Sequence, residues 1–258
     1  MTGLVRLGLA ALAFIVFGCA TSGKHESGGT RVTPVQKLKF TDHVYYHNMG
    51  ITWDGDYYYT INGGNTENSD LNKYDAAGKL DTHYDVSADG RAILYSPSEE
   101  QFYVKPYGTS LDEVDLDLEE TSTDFEDIFS GEQSSVAMSP DGEKLYELYE
   151  GTVKVFNTDG DEDTSFDLSS YNTTEEHGYD AAIAASDKFL FVWAPNSDKD
   201  VLVYGVDGKY VTKFALPRAG FGFSLSWAND MLWIADDADG GSDGADGTWY
   251  GYTLKGLE

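Results

Sequence analysis

Lys37-Leu38-Lys39-Phe40 is followed thirteen residues on by Trp53, the end of Met49-Gly50-Ile51-Thr52-Trp53. The same spacing returns near the other end, where Val211-Thr212-Lys213-Phe214 precedes Phe223-Ser224-Leu225-Ser226-Trp227. The segment before Phe40 thus has the character of a strand that elsewhere closes a unit. The C-terminus, by contrast, stops at Thr248-Trp249-Tyr250-Gly251-Tyr252-Thr253, one strand short of a complete unit. A ring of repeats with its two ends clasped together accounts for both observations. It predicts that residues 35–40 pair with the strand around Trp249 to Thr253, removing an open sheet edge.

Working outward from the two ends, the turns divide the chain into five units. An inner strand reaches Trp53, Tyr95, Met138, Ala185 and Trp227, at intervals of 42, 43, 47 and 42 residues. Polar turns follow, such as Asp54-Gly55-Asp56, Ser139-Pro140-Asp141-Gly142 and Ala228-Asn229-Asp230. Each leads into a β-prone run: Tyr57-Tyr58-Tyr59, Phe102-Tyr103-Val104, Leu145-Tyr146, Phe189-Leu190-Phe191 or Met231-Leu232-Trp233. Strand, tight turn and strand make a hairpin. The outer halves repeat as well, through Asp75-Ala76-Ala77-Gly78, Asn157-Thr158-Asp159-Gly160 and Val206-Asp207-Gly208, whose glycines permit the positive φ of a short turn. The second unit is the least regular. Its third strand is expected within Leu111 to Leu118, and a hidden sixth unit around Thr121 to Glu132 remains an alternative.

This pattern resembles the β-propeller repeat families, in particular the extracytoplasmic kind whose blades carry a Ser-Pro-Asp-Gly turn and an aromatic-Asp-x-x-Gly turn. The resemblance implies an all-β, five-bladed propeller over residues 35–258, with the N-terminal strand closing the ring. It is specific for architecture and says nothing of chemistry.

Before the repeats, Arg6 and an apolar run from Leu7 to Phe17 form a signal-peptide core too short to span a bilayer. Val16-Phe17-Gly18-Cys19 resembles a bacterial lipoprotein processing box, which implies lipidation at Cys19 after removal of residues 1–18. An ordinary secretory signal with an incidental cysteine is the alternative. Residues 19–34 read as a flexible tether. The resemblance implies, through Ala20, an outer-membrane location facing the periplasm or the cell surface. Cys19 is the only cysteine, so no disulfide can form within the chain.

The charge excludes some partners. With 45 acids against 17 bases and a net charge of −28, the surface repels nucleic acid and anionic headgroups. The acids are spread along the chain, as on a solvated or salt-adapted surface. The expected partners are the membrane, through the lipid, and an envelope protein or a small ligand.

In a propeller, the loops between blades share a face with those joining second and third strands. On that face the sequence gathers a candidate ligand-binding set: His43, Tyr46, His47, Asn62, His177, Tyr179, Arg218 and Phe221. Three histidines beside carboxylates suit zinc or another transition metal, or are simply hydrogen-bonded loop residues. The run from Asp236 to Gly247 invites a calcium reading through Asp237, Asp239, Asp243 and Asp246, as does the run from Asp159 to Asp163. Neither fits the twelve-residue calcium loop, since Gly241 takes a ligand position in the first and Thr164 the glycine position in the second. A solvated acidic loop is the plainer reading, and no cofactor is required.

For catalysis, no serine stands in a Gly-x-Ser-x-Gly elbow. The first unit faintly resembles glutaminyl cyclotransferases, but Asn48-Met49 stand where that family carries a glutamate before the glycine. Asn48, Asn62 and Asp180 could serve a lactonase-like metal centre. Trp53 and Trp227 read as packing between blades. The sequence therefore favours a non-catalytic binding or scaffold module, with a metal-dependent hydrolase or lyase in the same funnel as the alternative.

Overall fold

The computed structural model describes residues 31–43, 46–64, 68–117, 120–169, 171, 182–237 and 246–257. Cys19, His177, Tyr179, Asp180, Asp239 and Asp243 lie outside them. The described residues form five four-stranded antiparallel sheets, the blades of a propeller. Blade 1 runs through β2 (His47–Trp53), β3 (Tyr58–Gly63), β4 (Ser69–Tyr74) and β5 (Leu80–Val86), counted from the axis outward. Blade 2 is β6 (Gly90–Ser96), β7 (Gln101–Pro106), β8 (Leu111–Asp115) and β9 (Glu120–Phe125). Blade 3 is β10 (Ser135–Met138), β11 (Leu145–Tyr149), β12 (Thr152–Phe156) and β13 (Glu162–Asp167). Blade 4 is β14 (Ile183–Ala185), β15 (Phe189–Trp193), β16 (Asp200–Gly205) and β17 (Tyr210–Ala215). Blade 5 joins β18 (Ser226–Ala228), β19 (Met231–Asp236) and β20 (Asp246–Lys255) to β1 (Thr33–His43).

The irregular second unit is thus one complete blade, with its third strand at Leu111–Asp115. The segment from Thr121 supplies the blade's outer strand, not a sixth blade. The clasp forms between the expected segments, with Val35 opposite Thr253, Lys39 opposite Tyr250 and Phe40 opposite Trp249. It begins two residues earlier than residue 35, because Thr33 and Pro34 already pair with Lys255 and Leu254.

Each sheet packs against two neighbours, so its middle strands are apolar on both faces instead of alternating. Phe189–Trp193 and Met231–Asp236 are buried almost throughout, whereas the outer strand Glu162–Asp167 is mostly exposed. The buried side chains fall into five clusters, one at each blade-to-blade contact. The cluster that closes the ring, between blades 5 and 1, is aromatic. In it Phe40 meets Tyr74 at 4.5 Å and Trp233 at 5.6 Å between ring centres, and Tyr58 meets Trp233 edge-on at 5.0 Å.

One device recurs around the rim. Gly78, Gly160 and Gly208 all have φ of +79°, each closing the turn before an outer strand. A Cβ at these positions would lie 2.7, 2.6 or 2.3 Å from Phe40, Phe125 or Phe166, the outer-strand aromatic of the preceding blade. Glycine is therefore needed twice, for the left-handed backbone and for the ring seated on it.

The ring closure also has a polar centre. Asp42, at the end of the clasp strand, is fully buried. Its Oδ1 accepts from Asn72 Nδ2 at 2.9 Å and from the Tyr74 hydroxyl, and its Oδ2 accepts from Asn48 Nδ2 at 2.9 Å and Trp249 Nε1 at 2.8 Å. Burial pushes the Asp42 carboxyl above its ordinary pKa, while the bonds from Tyr74 and Trp249 pull the other way. The four donors come from β2 and β4 of blade 1 and from β20 of blade 5, so one carboxylate ties the clasp strand both to its own blade and to blade 1.

Candidate functional site

All five inner strands run from the loop face to the turn face, and the space between them is an axial cavity of about 280 Å³. Arg91 and Phe223 line it toward the loops; Trp53, Tyr95, Met138 and Trp227 line it toward the turns. These aromatics do two things at once. Trp53 packs tilted against Tyr58 at 4.4 Å and Tyr95 against Phe102 at 4.8 Å, while Trp227 stacks on Phe191 at 5.2 Å and 3°. Trp53 also packs on the cluster between blades 5 and 1, and Trp227 joins blade 5 to blade 4, so the packing between blades expected of both is present while both line the cavity.

The segment between blades 4 and 5 covers the loop end of this cavity. Its Phe221 amide donates to Ala235 O at 2.8 Å, and its Gly222 carbonyl accepts from the Ala182 amide at 2.9 Å. From there Phe221 and Phe223 reach across the axis to the cluster between blades 1 and 2. His47, from the start of β2, stacks on Phe221 at 4.8 Å and 14°, and its Nδ1 is hydrogen-bonded to the Asp237 carboxylate. Three candidates separated by up to 190 residues thus form one junction.

The other candidates are placed as follows. Arg218 lies with its guanidinium 3.8 Å from the centre of the Tyr250 ring, a cation–π contact, and its buried Nε has no hydrogen-bond partner among the described residues. Tyr46 is half-buried just before β2. Asn62 belongs to blade 1's own wiring: its Nδ2 donates to Asp70 Oδ2 at 3.2 Å and its Oδ1 accepts from the Asp70 amide at 2.8 Å. Asn48, offered for a lactonase-like centre, is committed to Asp42. His43 ends the clasp strand opposite Asp246. Asp237, one of the calcium candidates, is engaged by His47.

Sequence reading missed two features near the axis. Lys105 is wholly buried and donates to the carbonyls of Pro106 at 3.1 Å, Gly108 at 2.5 Å and Glu132 at 2.6 Å. Burial first, then the Arg91 charge, brings its pKa down to about 8. Beside it, buried Glu147 accepts from the Ser130 amide at 2.5 Å and the Ser130 hydroxyl at 2.9 Å. A charged residue inside an apolar strand was the available signal, in Tyr103-Val104-Lys105 and in Tyr146-Glu147-Leu148. Both side chains pin the segment between blades 2 and 3, and Lys105 also holds the β7–β8 connection within blade 2.

Among the described residues, one group of three side chains has the spacing to hold a metal ion: Asp70, His83 and Asp85, on the outer strands of blade 1 and not at the axis.

No family model and no curated protein matches the chain. Among solved structures it is similar to the Kuenenia stuttgartiensis hydrazine synthase at 19% identity and a TM-score of 0.42, the match covering 74% of this chain and 55% of that one. The chain spans little more than half of that protein's length. The propeller assignment rests on the strand pairing itself.

Proposed function

We propose that this chain is a non-catalytic binding or scaffold module of a bacterial envelope, tethered by a lipid on Cys19 and working through its loop face. A propeller is suited to binding and scaffolding in general, since a rigid ring presents loops that vary without disturbing the core. The observation that carries the reading is the junction of His47, Phe221 and Asp237. It fixes half-buried aromatic and polar groups from blade 1 and the blade 4–5 segment on one surface, and the same segment carries the Arg218 guanidinium over Tyr250. Preorganised rings and one rigid donor fork bind with little ordering cost. They suit a small ligand or a protein segment carrying a ring or a carboxylate.

The test has two arms. Cys19→Ser is expected to release the protein from washed membranes; its retention through a salt wash would count against the lipid. In cross-linking to solubilised envelope, Phe221→Ala and Arg218→Ala are expected to lose a partner that the wild type captures. An exposed-site control, Asp56→Asn, should keep it. An unchanged capture profile in both loop-face variants would overturn this face as the site.

A further inference from the structure

On blade 1 the residues Asp70 and Asp85 stand directly opposite each other on β4 and β5, and Asn72 stands opposite His83. Two carboxylates facing across a strand pair repel unless a cation lies between them. His83 supplies the third group, with its Nε2 3.4 Å from Asp85 Oδ1 and 3.7 Å from Asp70 Oδ1.

The direction in which that ring presents its nitrogens is fixed from the buried side. Asp42 only accepts hydrogen bonds when ionised, so the Asn72 atom facing it at 2.9 Å is the amide nitrogen. The Asn72 oxygen therefore faces His83 Nδ1, at 2.8 Å, and Nδ1 must carry the hydrogen. That leaves Nε2 directed at two carboxylates. Asp70 is itself held, through Asn62, by the two hydrogen bonds already described. Such outer partners, which fix tautomer and orientation, are what a metal-ligating histidine requires.

We propose that Asp70, His83 and Asp85 bind a divalent transition metal of the zinc type at the rim of the ring closure. Metal–ligand bonds of about 2.0–2.2 Å in a tetrahedron separate neighbouring ligand atoms by roughly 3.3–3.6 Å. The present separations need little closing, and the three ligand atoms all lie within 4.8 Å of one another. His83 and Asp85 are exposed, so water completes the fourth position. One imidazole and two carboxylates favour zinc over calcium, which takes six to eight oxygens. Through Asn72 the site is wired to Asp42, so metal binding also braces the clasp.

The experiment uses the full chain, free of any affinity tag, titrated with zinc and with cobalt(II) as a spectroscopic probe. The expected result is one saturable ion per chain, cobalt d–d bands of tetrahedral nitrogen–oxygen coordination, and a zinc-dependent rise in melting temperature. His83→Ala should abolish these signals, and Asp85→Asn should weaken binding at least about tenfold. Asp81→Asn, an exposed carboxylate on the same strand, should leave them intact, and circular dichroism checks that each variant is folded. No saturable uptake would overturn the proposal. So would uptake unaffected by His83→Ala, or an equal shift with calcium at matched concentration.

Discussion

Removing the Asp42 carboxylate is the sharpest perturbation of the ring closure. In Asp42→Ala, four buried donors lose their acceptor together: Asn48 Nδ2, Asn72 Nδ2, the Tyr74 hydroxyl and Trp249 Nε1. Each orphaned buried donor costs about 1–3 kcal/mol, so the low end of that range gives about 4 kcal/mol. Relief from holding a buried anion, the cause of the raised Asp42 pKa, offsets part of this. A net loss of about 3 kcal/mol in a domain of this size corresponds to a melting temperature lower by roughly 6–12 °C. Thermal unfolding followed by circular dichroism reads the shift, and hydrogen exchange should place the loosened amides on β1 and β20. Asp42→Asn retains one acceptor oxygen and should fall between wild type and Ala. An Asp42→Ala protein melting within about 2 °C of wild type would refute the latch, because that loss is below what one orphaned donor predicts.

Two further outcomes follow from the same geometry. Deleting residues 1–30 should leave the melting temperature unchanged, whereas deletion through His43 removes a strand paired along its length with β20 and should destabilise the whole ring; equal melting of the two truncations would sink the clasp. Lys105 sets a pH dependence. Its folded pKa of about 8 lies below the ordinary 10.5, so the unfolded chain binds the extra proton between these values and stability should rise with pH across that window. The full effect is at most about 3 kcal/mol. Above pH ~10 the buried phenols of Tyr59 and Tyr103, whose pKa values are raised, reverse the trend. Comparing wild type with Lys105→Met between pH 7.5 and 9.5 isolates the lysine, and a stability difference that does not move with pH would show that its pKa is not lowered.

What the sequence determined is what local chemistry determines. Gly78, Gly160 and Gly208 announce turns because only glycine enters the left-handed region without strain, and those turns mark three of the five blades. The thirteen-residue offset of Phe40 and Trp53, repeated at Phe214 and Trp227, marked the N-terminal segment as a closing strand and so pointed to its pairing with the strand around Trp249 to Thr253. His47, Arg218 and Phe221 were read to one face because loops alternate between faces as strands alternate in direction. Their partners were not legible. His47 meets Asp237 across 190 residues and Asp42 meets Trp249 across 207, and only ring closure brings these together. Register shifts at Gln36/Leu38, Asn48/Gly50 and Lys73/Tyr74 compound the difficulty, because each bulge exchanges the two faces of a strand and so redirects every later side chain. Asp70, Asn72, His83 and Asp85 read along the chain as ordinary polar residues of an exposed hairpin. Tertiary structure alone decided that a buried carboxylate orients Asn72, that Asn72 orients His83, and that the imidazole then faces two acids whose mutual repulsion calls for a cation.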